Sequence, residues 1–169
     1  MGSARAQIWP GTPVPARPDE QSTLRRLSLT DQGFARAAAT TLPAQAQLGL
    51  LAEDRGDSPA VRAMGRRLAH EHHELGFELS RVAENEHLAL PSAPPPSDQP
   101  RYLQLQSLSG RDFDRAFLDQ QRLNLAEESE LFETEATSGT HSTLRAFAHR
   151  HRRQLHEDKK LATIDRHRE

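Results

Sequence analysis

The chain has 169 residues, a formal net charge of −2 and a pI near 6.5. That is about one domain, with no global charge excess to draw it to nucleic acid. The absence of cysteine excludes disulfides, zinc fingers, iron–sulfur clusters and thiol catalysis. Two Ile and three Val stand against 22 Leu, too few β-branched residues for a substantial sheet. No apolar run approaches the roughly 18 residues that a transmembrane helix needs.

Prolines divide the chain. Four fall within the first 18 residues and predict a flexible N-terminal arm over 1–28. Ala4-Arg5-Ala6 has the small-x-small form of a signal-peptidase site, although no apolar stretch precedes it. A helical domain is expected over 29–165. Its first helix opens at Thr30 as N-cap, with Pro43 as an expected kink. Its inward stripe reads Phe34, Ala38, Thr41, Gln45, Leu48, Ala52. Ser58 caps the second helix, with Pro59 at its first position. Val61, Met64, Leu68, His72, Leu75, Leu79 and Val82 form its seam, at the three- and four-residue intervals of an antiparallel bundle.

Five prolines between 91 and 100 predict a long connection of polyproline character, followed by a short helix from Tyr102 to Leu108. The third long helix begins near Ser109 or Asp112 and carries Phe113, Phe117, Leu118, Gln121, Leu125, Glu128 and Phe132. It stops at Ser138-Gly139. The fourth begins near Ser142 and carries Leu144, Phe147, Ala148, His151, Leu155 and Ala162. Asp165 to Glu169 form a polar end expected to fray. The third helix is acidic and the fourth basic, so their faces can pair.

All nine histidines lie after residue 69. His70-Glu71-His72-His73-Glu74 fails the zincin pattern, because the fifth residue is Glu74 rather than His. His72 stands on an apolar seam, and a buried imidazole needs partners for both nitrogens. It is either a core residue bonded across the bundle or a metal ligand. A di-iron bundle needs two Glu-x-x-His pairs. Only Glu84 to His87 matches, at a helix end. No phosphate loop, nucleophile elbow or triad spacing is present, so nothing nominates a catalytic residue.

Four blocks carry a resemblance: TDQGFARAAATTLPAQAQLGLLA, SPAVRAMGRRLAHEHHELGFELSRVAENEHLALP, LSGRDFDRAFLDQQRLNLAEESELFETEA and TLRAFAHRHRRQLHEDKKLA. From Thr30 to about Ala162 the chain resembles domain-of-unknown-function family 4142. The resemblance implies an all-α, ferritin-like four-helix bundle with a long Pro-rich crossover between its second and third helices. It also implies an exported bacterial protein, periplasmic or labelled a putative outer membrane protein. The family pattern places a Glu and three His at the bundle centre. Here His72 and His156 match, while Gln45 replaces the Glu and Leu125 replaces a His.

The resemblance thus implies either a non-catalytic exported bundle, stress-related or part of the envelope, or a metal-binding or oxidoreductase bundle. In the second case the ligands are His72, His156, Gln45 and Glu128, one turn from Leu125. Any divalent transition metal is weakened by Gln45 and Leu125. On the first reading, His72→Leu is expected to fold normally or better. No nucleic-acid partner is expected.

Overall fold

The computed structural model describes residues 27–91 and 99–165, with side chains of the last helix described as far as His156. The N-terminal arm, the centre of the Pro-rich connection and the last four residues lie outside the described residues. Five helices form: α1 (Leu29–Arg55), α2 (Pro59–Asn85), α3 (Gln99–Ser107), α4 (Gly110–Ser138) and α5 (Ser142–Asp165). There is no strand among the described residues. The protein is an all-α four-helix bundle, with α3 as a short addition.

Local sequence sets the ends. α1 is capped by Ser28 rather than Thr30. Ser28 Oγ accepts from Asp31 N at 3.1 Å, and Asp31 accepts from Ser28 N at 3.0 Å, a reciprocal capping box. Pro43 is exposed and does not interrupt the helix. Ser58 caps α2, as expected. α2 closes on His87, whose φ of 54° is left-handed. Leu88 N then donates to Ala83 O at 2.8 Å and His87 N to Glu84 O at 3.3 Å, a Schellman closure with histidine where glycine is usual.

The helices associate as two antiparallel hairpins, α1 with α2 and α4 with α5, which meet chiefly along α1 and α4. Asp31, at the start of α1, contacts the α4–α5 turn. Asp114, near the start of α4, contacts the α1–α2 turn. α1 and α4 are therefore antiparallel. The C-terminal end of α2 reaches His141 through Glu86, whereas α4 starts at the opposite end. α2 therefore ends and α4 begins at opposite ends of the bundle.

The α1–α2 hairpin is held at backbone distance. A Cβ on Gly49 would lie 2.5 Å from Ala69 N, and one on Gly65 would lie 2.5 Å from Glu53 N. A mid-helix glycine costs roughly 0.5–1 kcal/mol against alanine, and this close approach is what offsets it. Apolar side chains fill the two ends. Phe34, Phe132 and Phe147 pack edge-on or tilted near the start of α1, with ring centroids 5.1–6.1 Å apart. Phe113 and Phe117 pack with Leu48, Leu68 and Leu105 near its end. Between the two clusters lie the buried polar residues Gln45, His72, Gln121 and Glu128.

Most of the expected seams are buried. On α1, Leu42 is buried and Thr41 only half so, and Met64 and His151 are half-buried. The facing acidic and basic helices make one described cross-pair, Arg152 with Glu133 at 3.0 Å, while Arg150 and His151 turn to Glu78 of α2. Gly65→Ala is expected to lower stability by about 1–3 kcal/mol, because the hairpin must separate to admit the methyl group. Thermal unfolding checks this. An unchanged Tm would show that the helices can part at little cost.

Candidate functional site

The central layer is built around His72. Nδ1 lies 2.9 Å from Leu68 O and Nε2 lies 3.0 Å from Glu128 Oε2 of α4. A carbonyl only accepts, so Nδ1 carries a proton and donates it. Nε2 then meets Glu128 with one further proton held between them. The pair is either imidazolium with carboxylate or imidazole with carboxylic acid, and both forms have the same net charge. Both side chains are almost fully buried.

Amides complete the layer. Gln45 Oε1 accepts from Gln121 Nε2 at 3.1 Å and from Asn124 Nδ2 at 3.3 Å, and Asn124 Oδ1 accepts from Gln120 at 2.6 Å. Two buried acceptors in this layer, Glu128 Oε1 and Gln121 Oε1, have no hydrogen-bond partner. A groove of about 620 Å³ between α1, α3 and α4 reaches the layer at Gln45, Asn124 and Glu128.

The structure brings His72, Glu128 and Gln45 into this layer but not His156. Among the described side chains of α5, the buried ones are Leu144, Phe147, Ala148 and Leu155. One residue is 100° around a helix. Leu155 therefore points inward, and His156 is exposed beside His149 and Arg153. Leu125 is buried and apolar. Among the described residues no three His, Cys, Asp or Glu side chains come together as a metal site. The two ligand-type residues of the layer already bind each other. What remains is amide oxygen, which carries no charge. The residues present do not fit a closed transition-metal centre, which usually has four ligands.

Three buried carboxylates escaped the sequence reading: Asp31, Asp114 and Glu135. Asp114 accepts from Asp57 N and Ser58 N, both at 2.8 Å. Asp31 accepts from Thr140 N at 2.8 Å, His141 N at 3.1 Å and Thr140 Oγ1 at 2.6 Å, besides Ser28. Each hairpin thus supplies the carboxylate that satisfies the other hairpin's turn. Burial alone would raise the Asp31 pKa. Hydrogen bonds from Ser28, Thr140 and His141 outweigh it and hold the carboxyl well below the usual range.

A sequence signal for this was present. Asp31 and Asp114, Phe34 and Phe117, Leu42 and Leu125, Gln45 and Glu128, and Gly56 and Gly139 are each 83 residues apart. The two glycines end their helices alike, with φ of −55° and −61°, and their N–H groups bond back to Ala52 O and Glu135 O. The bundle is thus a hairpin used twice.

Glu135 has neither carboxyl oxygen hydrogen-bonded and lies against Gly139. Burial first, and then the Asp31 carboxylate beside it, push its pKa up to about 7, against the opposing pull of Arg145. Its ordinary pKa is 4.5. The folded chain therefore keeps this proton to a higher pH than the unfolded chain does. The associated stability is full below 4.5 and is lost as pH rises through about 7. Asp31 acts oppositely, since its contribution is present above 3.8 and is lost as pH falls. Glu135→Gln should raise stability relative to the parent more at about pH 8 than at about pH 5. The change in that difference is on the order of 1–3 kcal/mol by denaturant unfolding. A difference independent of pH would contradict the burial of this carboxyl.

The fold and central layer define a helical bundle with a polar belt. The chain belongs to the family described as a domain of unknown function (DUF4142), whose sequence profile matches residues 16–163. Neither the curated proteins nor the solved structures give a match.

Proposed function

We propose that this DUF4142 protein is an exported, non-catalytic helical bundle whose central polar layer fixes the register of its two hairpins. The observation that supports this reading is the pairing of His72. Leu68 O and Glu128 satisfy both ring nitrogens, and both side chains of the pair are almost fully buried. Buried polar groups set alignment in some helical assemblies at a cost in stability. The envelope location rests on the family resemblance. No described helix is long and apolar enough to cross a membrane. Fractionation of the native host should place the protein in the periplasmic or envelope fraction, and a purely cytosolic protein would contradict export.

The pairing changes what His72→Leu should do. It leaves Glu128 buried without its partner, so the single variant should lose about 2–4 kcal/mol rather than fold normally. The double variant His72→Leu/Glu128→Met, which removes both polar groups, should recover most of that loss. Urea unfolding of the two variants and the parent measures the difference. A double variant as unstable as the single one would show that the layer does more than pair.

The metal-binding alternative draws on one observation, the unpartnered oxygens of Glu128 and Gln121. Elemental analysis of untagged protein separates the readings. No stoichiometric metal is expected. About one Zn, Fe, Cu or Mn per chain, lost in His72→Ala, would overturn the non-catalytic reading in favour of an ion held off the family pattern.

A further inference from the structure

The groove between α1, α3 and α4 has the dimensions of a ligand site, since such sites run from roughly 300 to 1,000 Å³. Its volume is about 620 Å³. Leu48 of α1, Leu105 and Tyr102 of α3, and Leu131 of α4 give it an apolar wall, and Ala44 leaves room on the α1 side. α3 is therefore more than a spacer in the connection, because it builds one side of a pocket.

The polar end of the groove holds one buried acceptor that no donor reaches. Glu128 lines it and is almost fully buried. Its Oε2 is taken by His72, and its Oε1 has no partner. Gln121 Oε1, two helical turns away on α4, is also unpartnered. A buried carboxylate oxygen without a hydrogen bond is costly, so a donor that reaches it gains more than it would in water. Of the charged groups lining the groove, Glu127 and Arg101 oppose each other and Glu128 is paired with His72, so selection rests on the one unpartnered oxygen, Glu128 Oε1. An anion would meet the unpaired Glu128 Oε1, and a neutral alkyl chain would leave it unsatisfied.

We propose that this groove binds a small amphipathic amine, with its ammonium group at Glu128 Oε1 and its apolar body against Leu48, Tyr102, Leu105 and Leu131. Asn124 is the gate. Its bond to Gln45 Oε1 is long, at 3.3 Å, and Gln45 keeps its 3.1 Å bond from Gln121 when Asn124 turns aside. Turning Asn124 aside gives up that bond and the one from Gln120, while the His72–Glu128 and Gln45–Gln121 pairs stay made. The inference goes beyond the non-catalytic reading and takes it as given, because a metal on Glu128 would occupy the same oxygen.

The test titrates the full-length protein with n-octylamine, n-octanoate and n-octanol, followed by calorimetry and by amide chemical shifts. n-Octylamine should bind saturably at one per chain and shift residues of α1, α3 and α4. It should bind roughly tenfold or more tightly than n-octanoate or n-octanol. Glu128→Gln should abolish the preference for the amine. Ala44→Phe fills the apolar part and leaves the His72–Glu128 pair intact, so it should abolish binding with Tm unchanged.

Equal binding of the three probes would overturn the assignment of charge. Saturable binding that survives Ala44→Phe would overturn the location. No saturable binding, as when water or another part of the chain holds the groove, would overturn the proposal. Elemental analysis fails separately: a resident metal condemns the non-catalytic reading, whereas a metal-free protein that ignores the amine condemns only this one.

Discussion

Two carboxylates bind the bundle end to end. A tight turn between antiparallel helices leaves backbone N–H groups with no helical partner. In this chain the acceptors come from the opposite hairpin, Asp114 for Asp57 and Ser58, and Asp31 for Thr140 and His141. Charge-assisted bonds of this kind are roughly twice as strong as neutral ones. They also tie elements far apart in sequence. Leucine and phenylalanine burial supplies the driving force but leaves the helices free to slide. The two aspartates act with the central layer to set how far α1 overlaps α4, and at that overlap Gln45 and His72 lie level with Gln121 and Glu128.

Alignment of this kind explains the alternation along the bundle axis. Each end is an apolar cluster with its own phenylalanines, and the middle is polar. The belt is costly unless its members meet, and they meet only at one register. A slide by one helical turn would bury Glu128 and the amides against leucine. The same layer adjoins the groove that α3 walls.

Periodicity made the fold legible. The seams of α2 and α4 were readable from three- and four-residue spacing because an apolar stripe is a property of one helix. His72 stood out for the same reason. Its partner was harder to see, since pairing across the bundle depends on the relative height of α2 and α4, which no local pattern encodes. His156 was misplaced because a motif match tolerates an error of one residue while a helix does not, and Leu155 takes the inward direction. Asp31, Asp114 and Glu135 carry no local mark of burial, because acids near helix ends are ordinarily solvated. Only the 83-residue correspondence of Asp31-x-x-Phe34 with Asp114-x-x-Phe117 marked two of them as equivalent. The close Gly49–Gly65 contact left no sign except two glycines inside good helices.

The reciprocal clasp is tested most directly by native-state hydrogen exchange at the amides of Asp57, Ser58, Thr140 and His141. Turn amides near a surface ordinarily exchange by local fraying. If the aspartates hold the hairpins together, these four amides exchange only when the whole bundle opens, with the protection of the buried residues of α1 and α4. Rapid exchange at the turns, while α1 and α4 stay protected, would contradict the account.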